Sequence, residues 1–320
     1  MTLPPRAVPS STPIIPRHIV VPEDLTAHET EAVFAISQDL QTRFDAGLRE
    51  PLFPGRVLGL VFEKPSLRTR VSFEAAMVHL GGSALFLGED TGFSSSRESV
   101  ADFGRVLSQY VDAIVVRSKA HDTIQRLAEV STVPVINGLS DYCHPCQALA
   151  DVYTLRRRAG RLDGRTLAFV GDGNNVARSL AVVCGLLGMR FVLAAPPEFQ
   201  FDEAFRRHLG EILPGAEIEE TTDPVAAVKG ASCVYTDVWT SMGQEKERSA
   251  REKALRPYQV NAALMRHAPD AVFMHCLPAR RGEEVTDEVM DGPQSVVVEE
   301  AANRMHVQKG LLAWLLGHQR

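Results

Sequence analysis

Cysteine is scarce in this chain: five in 320 residues, too few and too odd a number for a disulfide scaffold, which points to a reducing, cytoplasmic setting. No apolar signal-peptide core precedes the first amphipathic segment. Long apolar runs are missing too. The longest, Leu180 to Met189, stops at Arg190, far short of the ~20 residues a membrane helix needs, so no membrane partner is expected. Positive charge is not in excess: 34 Lys and Arg against 40 Asp and Glu leave a net charge of −6. That excludes the broad basic footprint of a nucleic-acid binder and requires any anion site to be local. No repeat of solenoid period is found. What is there is ordinary for a folded globular protein: 45% apolar residues, 23% charged residues and a mean hydropathy near zero.

The length predicts two domains, with one large barrel as the competitor. Residues 1–19 carry Arg6, Arg17 and several Pro and Ser without an acid, and read as an N-terminal arm. Val33, Phe34, Ile36, Leu40 and Phe44 recur at helical spacing after Thr26, a residue type suited to capping. Strand and helix patterns then alternate, with strands at Val57–Phe62, Ala84–Leu87, Ala113–Val116 and Val133–Ile136. Pro145 to Arg158 reads as a linking helix, and Gly160 to Gly164 breaks the pattern. A second block opens with strand Thr166–Val170, a glycine turn, helix Val176–Leu187 and strand Phe191–Ala194. Further strands are expected at Cys233–Thr236, Val272–His275 and Val296–Val298. Ala301 to Leu316 has Val307, Leu311, Leu315 and Leu316 on one helical face, suited to packing back across a domain boundary. The fold class expected is α/β: two doubly wound parallel-sheet domains, 20–150 and 151–302, with a linking helix and a C-terminal helix (303–320) returning to the first.

Several short motifs fall at strand-to-helix turns. In Ser66-Leu67-Arg68-Thr69-Arg70, Ser66 stands as an N-cap, so first-turn N–H groups, the helix dipole, two hydroxyls and the fork of Arg68 can meet an anion. The glycines and Lys of a P-loop are absent, and a capped surface helix with solvated arginines is the plain alternative. Cys143-His144-Pro145-Cys146-Gln147 reads either as a redox or zinc motif or as a helix start presenting His144 and Gln147 to one pocket. Gly171-Asp172-Gly173-Asn174-Asn175-Val176 lacks the third glycine of a dinucleotide fingerprint, and no acid closes the next strand; its asparagines suit a zwitterionic ligand or a positive-φ turn. Asp237 to Gly243 and His275-Cys276-Leu277-Pro278 follow strands at the edge where open α/β sheets bind ligands. Cys276 there is open to three readings: nucleophile, weak hydrogen-bond partner or buried filler. Arg304 has the plain reading of an ion-pair partner.

Taken in order, Phe62-Glu63-Lys64-Pro65-Ser66-Leu67-Arg68-Thr69-Arg70, His144-Pro145-Cys146-Gln147-Ala148-Leu149-Ala150-Asp151, Gly171 to Asn175, Asp237 to Gly243 and His275 to Ala279 resemble the aspartate/ornithine carbamoyltransferase family, in its ornithine-specific form. The resemblance covers about residues 20 to 317. It implies a carbamoyl phosphate-binding first domain, an amino-acid-binding second domain, and a homotrimer, or a multiple of trimers, with the active site between domains and near a subunit boundary. The reaction implied joins carbamoyl phosphate and L-ornithine to give L-citrulline and phosphate in arginine metabolism, with no metal or organic cofactor. Carried over by position, carbamoyl phosphate falls to Ser66, Leu67, Arg68, Thr69, Arg117, His144, Gln147, Cys276, Leu277 and Arg304. Ornithine falls to Asn175, Asp237, Ser241 and Met242. Arg68, Arg117, His144 and Cys276 form the catalytic set. Two departures stand out: Leu67 replaces the usual Thr, and Thr91 to Ser96 lacks the Gln often found in the loop that reaches a neighbouring site, leaving Arg97 as its substitute. A transferase for putrescine or an N-acylated ornithine, or a non-catalytic metabolite sensor, is the alternative.

Overall fold

The computed structural model describes residues 16–89, 98–240 and 245–317. Two parallel sheets organise them. The first has β1 (Val57–Phe62), β2 (Ser83–Leu87), β3 (Ala113–Arg117) and β4 (Val135–Leu139) in the order β2-β1-β3-β4. The second has β5 (Thr166–Val170), β6 (Arg190–Ala194), β7 (Ile218–Thr221), β8 (Cys233–Tyr235) and β9 (Val272–Met274) in the order β7-β6-β5-β8-β9. Every pairing within them is parallel. Parallel strands need crossovers, and helices supply them on both faces. The fold is therefore the pair of doubly wound α/β units that the strand and helix alternation implies.

The helices are α1 (Ala27–Asp45), α2 (Leu67–His79), α3 (Val100–Leu107), α4 (His121–Val130), α5 (Pro145–Ala159), α6 (Asn175–Leu186), α7 (Glu203–Ile212), α8 (Pro224–Val228), α9 (Arg248–Leu255), α10 (Ala262–Met265), α11 (Asp287–Met290) and α12 (Val297–Gly317). Local chemistry starts several of them. Thr26 accepts from the Glu29 N–H while the Glu29 carboxylate accepts from the Thr26 N–H, a reciprocal cap. Ser66, Ser99 and Asn174 cap α2, α3 and α6 with their own oxygens.

Helix α5 runs between the sheets and is buried from Pro145 to Leu155. Helix α12 packs on α1, α2 and α5, so the last segment of the chain returns to the first sheet's helices. Gly310 permits the closest approach, because a Cβ there would lie 2.0 Å from Ser37 Oγ and 2.8 Å from the Val33 carbonyl oxygen. One apolar core accordingly continues from Leu60 and Phe73 through Tyr153 to Phe169 and Phe191.

Two elements differ from expectation. Val296–Val298 is not a strand: Val297 opens α12, and only Ser295 bridges to Phe273. The β-branched run favours a strand locally, but burial at Val297, Glu300, Arg304, Val307 and Leu311 follows helical spacing and decides the matter. Strand β7 was not anticipated; its Ile-Glu-Glu-Thr sequence is half exposed at a sheet edge. Among the described residues, no helix is long and apolar enough to cross a membrane.

Candidate functional site

A cavity of about 900 Å³ opens at the carboxyl ends of both sheets, at the upper end of the size range for small-molecule sites. Its lining comes mainly from the residues and turns that end strands, with Arg251 from α9 and Arg304 from α12. After β1 comes the start of α2, where Ser66 Oγ accepts from the Thr69 N–H at 3.3 Å and lies 3.0 Å from Thr69 Oγ1. Leu67 is 75% exposed. At the end of β3, Val116 pairs with Asn137 and Arg117 with Leu139, so the extra residue, Gly138, bulges from β4 beside Arg117. After β4, His144 stands at the N-cap position of α5, with its N–H held by Ser179 Oγ at 2.8 Å.

Five polar side chains meet in one buried corner. Arg304 donates to Thr69 Oγ1 at 2.6 Å and to Gln147 Oε1 at 2.9 Å, and its guanidinium lies 3.4 Å from His144 Nε2. Arg117 reaches the same Thr69 oxygen at 3.5 Å. Thr69, Arg117, His144, Gln147 and Arg304 are all buried. Yet among the described residues neither Arg117 nor Arg304 has a carboxylate partner, and the Nε of each is unpaired. Burial depresses both guanidinium groups; the charges of Arg304 and Arg68 add to it at Arg117, which falls to about 10, and the charge of Arg68 adds to it at Arg304. Burial, and then the charges of Arg304 and Arg117, hold His144 well below the usual imidazole range, so it is neutral at physiological pH. Its Nε2 accepts from Arg304, which places the ring proton on Nδ1, an atom with no partner. Arg68 joins this wall from the second residue of α2.

The opposite wall belongs to the second sheet. Asp237, after β8, accepts from Asn174 Nδ2 at 2.8 Å, from the Val238 N–H at 2.8 Å and from the Cys276 thiol at 3.1 Å. Burial and then the Asp237 charge push the Cys276 thiol well up, which disfavours the thiolate a nucleophile needs. Of the three readings of Cys276, the hydrogen-bond partner is the one the geometry matches. Leu277 has φ of +57°, a strained value for a residue with a side chain. Its N–H donates to His275 Nδ1, so His275 carries its proton on Nε2, 3.1 Å from Glu284 Oε1. Asn175 Nδ2 donates to the Ser140 carbonyl at 2.7 Å and bridges the two walls.

Asn174 has φ of −74°, so the asparagine pair does not serve a positive-φ turn; Asn174 is the cap of α6 and the partner of Asp237. Cys143 and Cys146 do not form a redox or metal pair: their thiols donate to the Val20 and Asn137 carbonyls, and burial pushes both up, Cys146 to about 12. Ser241, Met242 and the loop with Arg97 lie outside the described residues. Sequence reasoning missed Arg251. It lines the cavity from α9, donates to the Trp239 carbonyl at 2.6 Å and pairs with Asp172, whose carboxyl burial raises to about 6. Its run Arg-Ser-Ala-Arg-Glu-Lys-Ala-Leu has no pattern that separates it from a solvated helix.

The arrangement has a cationic, hydroxyl-lined corner on one side and a carboxylate beside neutral amides on the other. It suits one ligand with a strong anion and a second that brings an ammonium group. Comparison with known proteins agrees. Residues 17–157 match the family model described as "Aspartate/ornithine carbamoyltransferase, carbamoyl-P binding domain", and residues 163–315 match "Aspartate/ornithine carbamoyltransferase, Asp/Orn binding domain". The chain is 48% identical over 304 residues to an ornithine carbamoyltransferase of Pyrococcus abyssi, covering 94% of this chain and 96% of that one. It is 46% identical over 310 residues to that of Bacillus subtilis, with 96% of each chain covered. A solved ornithine carbamoyltransferase from Pyrococcus furiosus superposes with a TM-score of 0.91 at 47% identity, covering 95% of this chain and 98% of that one. The chain belongs to the aspartate/ornithine carbamoyltransferase family.

Proposed function

We propose that the chain transfers the carbamoyl group of carbamoyl phosphate to the δ-amine of L-ornithine, giving L-citrulline and phosphate. The observation that carries this reading is the buried corner in which Arg117 and Arg304 lack any carboxylate among the described residues. Two uncompensated buried cations call for an anion, and a phosphate ester beside a helix N-terminus meets that need.

Ser66, Leu67, Arg68 and Thr69 hold the phosphate through the first-turn N–H groups of α2, the hydroxyls and the Arg68 fork. The Leu67 backbone serves there in place of a side-chain hydroxyl. Arg117, His144, Gln147 and Arg304 surround the carbamoyl group. The lone pair of the δ-amine attacks the carbonyl carbon, charge grows on the carbonyl oxygen, and donors preset in a water-poor corner stabilise it. The bond from carbon to the phosphate oxygen then breaks, and the departing phosphate takes the amine proton. Asp237 receives the α-ammonium group of ornithine, with Asn175, Ser241 and the Met242 backbone around its carboxylate. Cys276 and Leu277 border the path of the δ-amine, with Cys276 a neutral thiol that forms no covalent bond. The same residues serve synthesis or breakdown of arginine.

The working unit is proposed to be a trimer in a reducing cytoplasm, acting on small molecules only. Leu67, Val71 and Val78 on α2 and Leu85 on the edge strand β2 are exposed large apolar residues beside the phosphate corner, a surface suited to a second copy. The five cysteines are all unpaired, in keeping with that compartment.

The test is carbamoyl phosphate turnover on purified protein, with ornithine compared against putrescine, N-acetylornithine, lysine and aspartate. Citrulline formed selectively from ornithine is the expected result; preference for another amine would overturn the ornithine half of the reading. Light scattering should give the mass of three chains or a multiple.

A further inference from the structure

Outside the cavity wall, two carboxyl groups share their hydrogen-bond donors. The Tyr235 hydroxyl lies 3.0 Å from Asp151 Oδ2 and 3.2 Å from Glu300 Oε1. Gln147 Nε2 lies 2.7 Å from Asp151 Oδ1 and 3.4 Å from the same Glu300 oxygen. The second Glu300 oxygen accepts from the His275 N–H at 2.9 Å. Asp151, Tyr235 and Glu300 have no solvent exposure, and neither carboxyl lines the cavity. Arg304 is the nearest cation in the cluster, but its bonds go to Gln147, Thr69 and His144, not to either carboxyl.

Two fully buried carboxylates with no bonded cation cannot both stay ionised. We infer that Asp151 and Glu300 share a single proton, and that this singly protonated pair is the positioning element of the carbamoyl site. It orients the Gln147 amide, whose oxygen in turn fixes Arg304. Through the His275 N–H it fixes the turn that carries Cys276 and Leu277. Three helix and strand elements from both halves of the molecule, α5, α12 and the end of β9, are thereby held by one proton. Burial raises both acids, Asp151 to about 7 and Glu300 well up, where the Asp151 charge adds to its burial.

The titratable groups facing the pair are Tyr235 and Cys233 on β8, Cys184 on α6, His275 and Cys276 beyond β9, and Arg304 on α12. Burial pushes the tyrosine and the three thiols upward, so they stay neutral while the pair titrates. Loss of the shared proton leaves two like charges in contact with no bonded cation to offset them.

The inference rests on the proposed carbamoyl transfer, so its test has one arm that reads activity and one that does not. Glu300→Gln replaces the protonated acid with a neutral group that still donates to Asp151. It should keep kcat/KM for carbamoyl phosphate within about threefold of wild type near neutral pH, whereas Glu300→Ala should lose about 30-fold or more. Between about pH 6 and 10, the wild-type KM for carbamoyl phosphate should rise on the alkaline side and that of Glu300→Gln should not. For stability the sign follows from a raised native pKa: the contribution is complete below the unfolded value and is lost as pH rises through the native one. The wild-type Tm should therefore fall with rising pH relative to that of Glu300→Gln. Equal alkaline behaviour of the two proteins in KM and Tm would overturn the shared proton. Glu300→Gln as damaged as Glu300→Ala, with the fold retained, would overturn its positioning role. A wild-type chain that makes no citrulline yet shows the Tm difference would defeat the transfer reading and leave the shared proton supported.

Discussion

Replacing Thr69 with Val exchanges one buried oxygen for a methyl group of similar volume and isolates what that oxygen does. Thr69 Oγ1 accepts from Arg304 at 2.6 Å and from Arg117 at 3.5 Å, and it lies 3.0 Å from Ser66 Oγ. The residue has no exposure, so water cannot take over the lost bonds. A hydrogen bond from a charged donor contributes about 1.5–3 kcal/mol. If that energy is spent on holding the guanidinium groups for the transition state, its loss corresponds to about 10- to 150-fold in kcat/KM for carbamoyl phosphate. Thr69→Ser keeps the hydroxyl and should stay within about threefold. The assay is citrulline formation with carbamoyl phosphate varied at saturating ornithine, with denaturant midpoints measured in parallel to show that both variants fold. Val and Ser variants equal to wild type within about twofold would refute the claim that this oxygen organises the corner.

Cys276→Ser should retain most turnover, because the thiol is a neutral donor to Asp237 and a hydroxyl can take its place; complete loss with normal ornithine binding would restore the nucleophile reading. Asp237→Asn should raise the KM for ornithine far more than that for carbamoyl phosphate, since it removes the negative charge facing the amino-acid half of the cavity; initial-rate kinetics in each substrate separate the two. Burial lowers His18, His79, His121, His144 and His306, the last to about 3, so each takes up a proton on unfolding at mildly acidic pH. Their contribution to stability, present above the unfolded histidine value, should therefore fall as pH drops below about 6.5, opposed by the raised acids Asp151, Asp172 and Glu300; the difference in denaturant midpoint between wild type and His306→Gln isolates it, and a difference that is constant from about pH 7 to 5 would contradict this. Gly310→Ala forces a Cβ against Ser37 and the Val33 carbonyl, and should lower stability by about 1–3 kcal/mol through separation of α12 from α1; an unchanged Tm would show that the helices part freely.

The amino-acid sequence by itself determined the features that depend on near neighbours in the chain. Thr26, Ser66, Ser99 and Asn174 cap their helices through residues two or three positions away. The alternation of apolar runs with helical periods specified parallel sheets, and so placed Ser66, Arg117, His144, Asp237 and Cys276 at strand ends. The resemblance of ordered motifs named Arg304 as a site residue, but its own neighbourhood in the chain looked like that of an ordinary ion pair. Its partners are 157 and 235 residues distant, and only the return of α12 onto the first sheet's helices brings them together. The same holds for Asp151 with Tyr235 and Glu300, and for Arg251, whose helix has no local mark of a cavity wall. Val296 to Val298 shows the converse: a β-branched run became a helix start because burial against α1 and α5 outweighs a local preference of a few tenths of a kcal/mol per residue. Caps and strand alternation are written within a few residues, whereas the proton count of a buried carboxyl pair and the pairing of a buried guanidinium are set by distances that only the folded chain creates.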